Sequence, residues 1–304
     1  PMAGKGSRFA NAGFVQPKPL IDVAGKPMIS WVIDNVNAPG VIEARFIFLV
    51  LREHEKQYGL TASLKSLVES CPGSSSVEVV YVDEVTEGAA CTCLLARGVI
   101  DDETPLFIAN SDQFVEWSAV DYWTSMAQQL DSSDGDVLCF RIPMSENDVK
   151  WSDAKGDGNG CVTDIQEKNV ISENATVGYY YWRRGRDFVR LADKMIARDF
   201  RVNGEFYVAP VYNEGVAEGM KFKLSFCDKM WGLGVPHDLT SFLTNYVRAR
   251  GSNLPPPAKI ACGPMRFIAH RGNVYGANKE KENKPEYIKQ ALALGFDVEI
   301  DAWF

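Results

Sequence analysis

Gly4 and Gly6 lie in the run Met2-Ala-Gly-Lys-Gly-Ser-Arg-Phe9, and Arg8 closes it. Glycines carry no Cβ, so backbone N–H groups there can approach a phosphate chain. Arg8, and Lys18 in Gln16-Pro-Lys-Pro-Leu20, add fixed positive charge of the kind that holds phosphate oxygens. Gly25-Lys-Pro-Met28 follows at once. A glycine-rich loop alone is equally what a tight turn needs, so the information lies in the three segments in succession. Farther on, Asp112 ends the stretch Asn110-Ser-Asp112 just past an apolar run. A carboxylate there suits Mg²⁺, which prefers oxygen ligands and takes one or two carboxylates, or it caps a helix. Glu167-Lys168 ends a strand-like segment, where such a pair is by itself usually a solvated surface pair. What these residue types do together is position and neutralise phosphate groups.

The elements that must hold them are read from apolar patterning. Ile29 to Val36 has helical spacing, and Arg45 to Leu51, Val77 to Val82 and Pro105 to Ala109 are apolar runs expected of strands covered on both faces. Gly88 opens a helix expected to run through Ile100; Val120 to Leu130 reads as a helix and Asp136 to Ile142 as a strand. Asp153 to Gly160 reads as a polar turn, followed by strands over Cys161 to Glu167 and Thr176 to Trp182, then helices over Phe188 to Ile196 and Leu239 to Val247. Such alternation predicts an α/β fold: a Rossmann-like mixed, mostly parallel sheet with helices on both faces. In sheets of that kind ligands bind beyond the carboxyl ends of the strands, which puts the glycine-rich run and Asp112 on one edge.

The totals narrow the class. The chain has 304 residues, 46% hydrophobic and 24% charged, with a net charge of −8, which argues against a nucleic-acid partner. No apolar run approaches the roughly 20 residues that span a bilayer, so no membrane span is expected. The seven cysteines are odd in number and form no Cys-x-x-Cys pair, which favours reduced thiols and a cytoplasmic protein. Gly251-Ser-Asn-Leu-Pro-Pro-Pro257 is the best boundary: 1–250 form a first domain, 251–264 a linker and 265–304 the start of a second. The glycine-rich run is expected to follow a strand, which does not precede it in the sequence, and both ends read as cut.

Met2 to Phe9, with Gln16 to Leu20 and Gly25 to Met28, resembles the signature of the sugar-phosphate nucleotidylyltransferases, and the resemblance runs to about Arg250. It implies an enzyme of the nucleotide-diphospho-sugar transferase fold, dependent on Mg²⁺, that joins an NTP (CTP, UTP or dTTP) to a phosphorylated sugar or polyol and releases pyrophosphate. The product would feed capsule or other surface-polymer synthesis. By the same resemblance Arg8, Lys18 and Lys168 are catalytic; Ala3, Gly4, Gly6, Ser7 and Gly88 bind nucleotide; and Asp112 is the metal ligand. Glu167 would take acceptor hydroxyls, Lys168 the acceptor's phosphate, and Gly178 in Asn174-Ala-Thr-Val-Gly178 would let the acceptor approach the backbone. Two departures stand out. Trp231-Gly-Leu-Gly234 lacks the aspartate that supplies the second metal ligand in many relatives, and Val85 stands where many carry a base-reading glutamine. A non-catalytic regulator that binds nucleotide sugars and a GT-A glycosyltransferase are the alternatives; an oligomer is left open.

Arg266-Phe-Ile-Ala-His270, then Arg271-Gly272, Glu282-Asn283 and Phe296-Asp-Val-Glu-Ile-Asp301 place a histidine and two same-face carboxylates around a short βαβ pattern. These residues resemble the opening of the glycerophosphodiester phosphodiesterases. The resemblance implies an incomplete site of His270, Arg271, Glu299 and Asp301 on the first part of a TIM barrel, which takes about 250 residues when whole.

Overall fold

A computed structural model describes residues 1–72, 74–128, 132–146, 149–250, 268–270 and 297–299. The N-terminal run enters the sheet directly. Met2 N–H donates to Leu49 O at 2.9 Å, and Met2 pairs in parallel with Val50. The helix Ser7–Asn11 starts from Gly6, whose φ of 62° is the left-handed region. A hairpin of β1 (Asp22–Val23) and β2 (Lys26–Pro27) leads into the helix Met28–Val36. That helix buries Met28, Ile29, Val32, Ile33 and Val36, as the 3.6-residue spacing requires.

β3 (Ala44–Leu51) and β4 (Ser74–Val82) pair in parallel over their length. β5 (Leu106–Ala109) pairs with the long strand β10 (Asn174–Trp182), which also meets β7 (Gly135–Arg141) and β8 (Ser152–Gly156), each antiparallel. β9 (Val162–Glu167) extends the sheet beyond β8, and β11 (Phe222–Phe226) lies parallel to β7. β6 (Gln113–Glu116) and β12 (Lys229–Gly232) form a separate antiparallel pair. The α/β class read from the sequence is the observed one, with helices such as Gly185–Ala197 and Val211–Ala217 packed on the mixed sheet.

β10 is the spine because eight of its nine residues are buried, from Ala175 to Trp182. Trp182 stacks on Tyr212 at 4.1 Å, with Phe222 edge-on and Phe188 tilted against it. Between β3 and β5 lies a largely apolar cavity of about 600 Å³, lined by Ile47, Leu49, Ile108 and Tyr181 among others. It lies inside the sheet region, and Lys18, Asp112 and Lys168 do not line it.

Three local expectations are corrected. Ser152–Gly156 is strand, not turn; Asp153, 1% exposed, accepts from the N–H groups of Ile171 and Ser172, so its polarity is satisfied inside the sheet. The polar turn is confined to Asp157–Gly160, closed by Gly160 N–H donating to Asp157 O at 3.2 Å. The stretch after Gly88 is two helices, Ala89–Leu94 and Arg97–Ile100, because the chain turns at Leu95 and Ala96 to bring Ile100 into the core. The last helix of the region starts earlier than read, at Pro236, and widens into a π-turn over Leu243–Val247.

The chain divides into two units, Pro1–Tyr246 and Val247–Phe304. Beyond Arg250, β13 (Ile268–His270) and β14 (Asp297–Glu299) are described; they are parallel, and His270 is the register partner of Glu299. Arg271, Asp301 and the rest of that expected site lie outside the described residues.

Candidate functional site

Asp112 sits between the ends of β5 and β6, on the turn where the chain leaves the sheet. Lys18 Nζ donates to its Oδ2 at 2.6 Å, with the two side chains 23% and 27% exposed. The turn is locked by Leu233 N–H donating to Asp112 O at 2.7 Å. A Cβ on Gly234 would stand 2.6 Å from Asp112 Oδ2, so the bare glycine leaves the carboxylate its space. Lys18 itself lies on the short helical turn Lys18–Leu20, fixed by Pro17 and Pro19. A Cβ on Gly6 would be 3.5 Å from Lys18 Cβ, which brings the glycine-rich run against the same pair.

Gly88 is held by two constraints. Its φ of 138° favours glycine, and a Cβ would lie 2.3 Å from Phe206 O and 2.5 Å from Phe206 N. Phe206 N–H donates to Glu87 O at 2.8 Å and Ala90 N–H donates to Phe206 O at 3.0 Å, so the loop before Ala89 and the segment 205–207 form one rigid junction. That junction carries Tyr207 into the site. The Lys168 ammonium donates to Tyr207 Oη and lies 4.6 Å from the ring centroid. Burial pushes the Tyr207 phenol up, as do its bond to Glu205 and the charges of Glu205 and Glu167, while Arg8 pulls the other way. Arg8, exposed on the glycine-rich run, is thus within electrostatic reach of the Lys168 side of the site.

Lys168 follows β9 with φ of 54°, a left-handed backbone uncommon for a lysine, held by its N–H donating to Trp151 O at 2.9 Å. Glu167 accepts from Ser152 Oγ across the β8–β9 pair. Burial raises the Glu167 carboxyl, against the Ser152 bond and the Lys168 charge. Gly178 marks the irregularity of β10 between Thr176 and Tyr180, with φ of 75°. A Cβ there would meet Asn110 Nδ2 at 2.2 Å and Gln113 Oε1 at 3.0 Å, so Asn110 fills the space beside its backbone.

The structure forms two cation seats, Lys18 at Asp112 and Lys168 at Tyr207; Gly6 touches the first, and Arg8 is within electrostatic reach of the second. Gly4 has open space where a Cβ would be, and Ser7 is exposed. Ala3 is 7% exposed and packs in the main core, which leaves only its main chain for a ligand. Sequence reasoning missed Tyr207, Ser152 and Asn110, whose partners lie far away in the chain.

For a divalent cation, the described residues contain no group of three His, Cys, Asp or Glu side chains able to hold one. One carboxylate, Asp112, with its charge balanced by Lys18, fits a hard cation completed by phosphate oxygens and water. It does not fit a site built from protein ligands alone.

The nucleotidyl transferase family matches residues 2–198 of the chain. Among solved structures, a nucleoside-diphosphate-sugar pyrophosphorylase from Vibrio cholerae is 25% identical with a TM-score of 0.65, over 80% of this chain and 98% of that one. A glucose-1-phosphate thymidylyltransferase from Bacillus anthracis is 17% identical with a TM-score of 0.62, over 84% and 95%. An inositol-1-phosphate CTP transferase from T. maritima is 13% identical with a TM-score of 0.58, over 80% and 94%.

Proposed function

The chain belongs to the nucleotidyl transferase family, and from that premise we propose that it joins an NTP to a phosphorylated sugar or polyol and releases pyrophosphate. A phosphate oxygen of the acceptor attacks the α-phosphorus of the NTP. The new O–P bond forms as the bond to the pyrophosphate bridging oxygen breaks, and that oxygen leaves with the electron pair. In this reading Arg8 and Lys18 neutralise the triphosphate, with the main chain of Ala3, Gly4, Gly6 and Ser7 around it and Gly88 beside the base. Glu167 takes acceptor hydroxyls and Lys168 takes the acceptor's phosphate, while the space beside Gly178 goes to Asn110 and not to the acceptor. Mg²⁺, held by Asp112 and phosphate oxygens when bound, supplies further neutralisation of charge on the leaving pyrophosphate.

The observation that carries this reading is the pair of separate cation seats. Lys18 sits with Asp112 and Lys168 sits with Tyr207, one for each phosphorylated substrate. A glycosyltransferase, whose acceptor brings no phosphate, has no use for the second. The acceptor class draws support from two relatives, one named for nucleoside-diphosphate sugars and one for inositol 1-phosphate. Such a product would serve surface-polymer precursor synthesis. In Val247–Phe304, the opposition of His270 and Glu299 on parallel strands supports a phosphodiesterase-like beginning.

The test is pyrophosphate release with Mg²⁺, CTP, UTP, dTTP, GTP or ATP, and a panel of sugar, polyol and aminoalcohol phosphates. Release with one NTP–acceptor pair is expected. NTP binding with no release across the panel would favour the non-catalytic, nucleotide-sugar-binding reading instead.

A further inference from the structure

We propose that Tyr207 is the positioning residue for Lys168: it holds the lysine's ammonium in one place, so that the seat for the acceptor's phosphate is formed before the acceptor arrives. The proposal rests on the reading of Lys168 as the acceptor-phosphate residue.

A lysine side chain loses much of its rotamer freedom when fixed, so an unsupported one binds phosphate weakly. Lys168 is supported at both ends. Its backbone is fixed by the bond to Trp151 O at 2.9 Å. Its ammonium is fixed at the phenol end of Tyr207, through a bond to Oη. The phenol oxygen accepts from Lys168, and the nearby Glu205 carboxylate adds negative charge on the same side. The tyrosine's backbone does not drift, since Phe206 is bonded to Glu87 and Ala90 on both sides of Gly88. An ammonium has three N–H donors. One goes to the phenol, and two remain for phosphate oxygens, so the support persists when the acceptor is bound. Tyr207 touches the lysine and not the reacting atoms, so its effect falls on acceptor affinity and not on the chemical step.

The test compares wild type with Tyr207→Phe, Tyr207→Leu, Lys168→Met and the double variant Lys168→Met/Tyr207→Leu. Tyr207→Leu is expected to raise the KM for the acceptor about tenfold, the order of a lysine's fixed rotamer freedom. Its kcat and NTP KM should stay within about twofold, a margin well below one tenfold step of 1.4 kcal/mol. Tyr207→Phe lacks the oxygen that holds the ammonium and should match Tyr207→Leu. In the Lys168→Met background the Tyr207 change should add almost nothing, because the group it positions is gone. Equal rises in both KM values, or effects that multiply in the double variant, would overturn the proposal. The contact is also read without turnover, by the rate at which an amine-acetylating reagent modifies Lys168 in the full chain, followed by mass spectrometry. Tyr207→Leu should speed modification of Lys168 severalfold and leave Lys18 unchanged; an unchanged Lys168 rate would overturn the positioning role even if no substrate pair is turned over. Absence of turnover in wild type, with the acetylation result as expected, would instead count against the proposed reaction.

Discussion

Gly234 leaves Asp112 its seat: a Cβ built on that glycine would stand 2.6 Å from Asp112 Oδ2, the oxygen that Lys18 also holds at 2.6 Å. The backbone of Gly234 is not in the left-handed region, so alanine fits the main chain and conflicts only with the carboxylate. Gly234→Ala should therefore displace a charge without unfolding the protein. Turnover should fall at least about tenfold, because loss of one aimed electrostatic group costs that much or more. The melting temperature should barely move, and a large fall in melting temperature with unchanged specific activity would contradict the assignment.

The two lysines should separate kinetically. Lys18→Met is expected to lower kcat/KM for the NTP by about 100-fold, the usual loss for one charge-neutralising group. Lys168→Met should act chiefly on the KM of the phosphorylated acceptor. Initial rates with each substrate varied in turn decide this. Identical kinetic signatures for the two variants would mean that the seats do not serve separate phosphates.

Gly88→Ala should damage both fold and activity. The added Cβ would meet backbone atoms of Phe206 at 2.3 and 2.5 Å, which cannot rotate away as a side chain would. With the positive φ, a destabilisation of about 2–3 kcal/mol is expected, in the range typical of backbone conflicts. Because the same junction carries Tyr207, acceptor KM should rise together with the loss of stability. Denaturant unfolding and steady-state kinetics on one preparation check both.

Asp136 gives the fold a pH signature apart from the site. It is 0% exposed, and burial pushes its carboxyl up from 3.8 to about 7, against bonds donated by Ser225 and Tyr122. Between those values the folded chain keeps a proton that the unfolded chain has lost. The stability contribution is therefore fully present below the unfolded value, is lost as pH rises through about 7, and is constant above. Asp136→Asn removes this dependence. The unfolding free energy of wild type minus that of the variant should fall by up to about 4 kcal/mol between pH 4 and pH 8. A difference that stays flat over that range would contradict it.

What was legible in the sequence was what local chemistry demands. Phosphate binding near a sheet edge needs Gly6 without a side chain and Lys18 on a stiff turn, and both needs are met within a few residues. Buried strands such as β3 and β10 announce themselves by apolar runs. What was not legible depends on distant partners. Tyr207 lies 39 residues from Lys168, and only the folded junction at Gly88 brings them together. Asp153–Gly160 read as a turn from its polar, glycine-rich run; the N–H groups of Ile171 and Ser172 that make Asp153 tolerable in a strand are a tertiary fact. Gly88 was read as a place for a ligand, and the structure adds a second cause for it, the backbone of Phe206.

The most direct test of the central claim follows the acceptor's phosphate through one turnover, using the active NTP–acceptor pair with ¹⁸O in the acceptor phosphate and mass spectrometry of both products. Attack by that phosphate on the NTP α-phosphorus predicts nucleoside-diphosphate product carrying all of the label and unlabelled pyrophosphate in equal amount. Label released as inorganic phosphate, or turnover that yields nucleoside diphosphate or monophosphate without a joined product, would contradict the account.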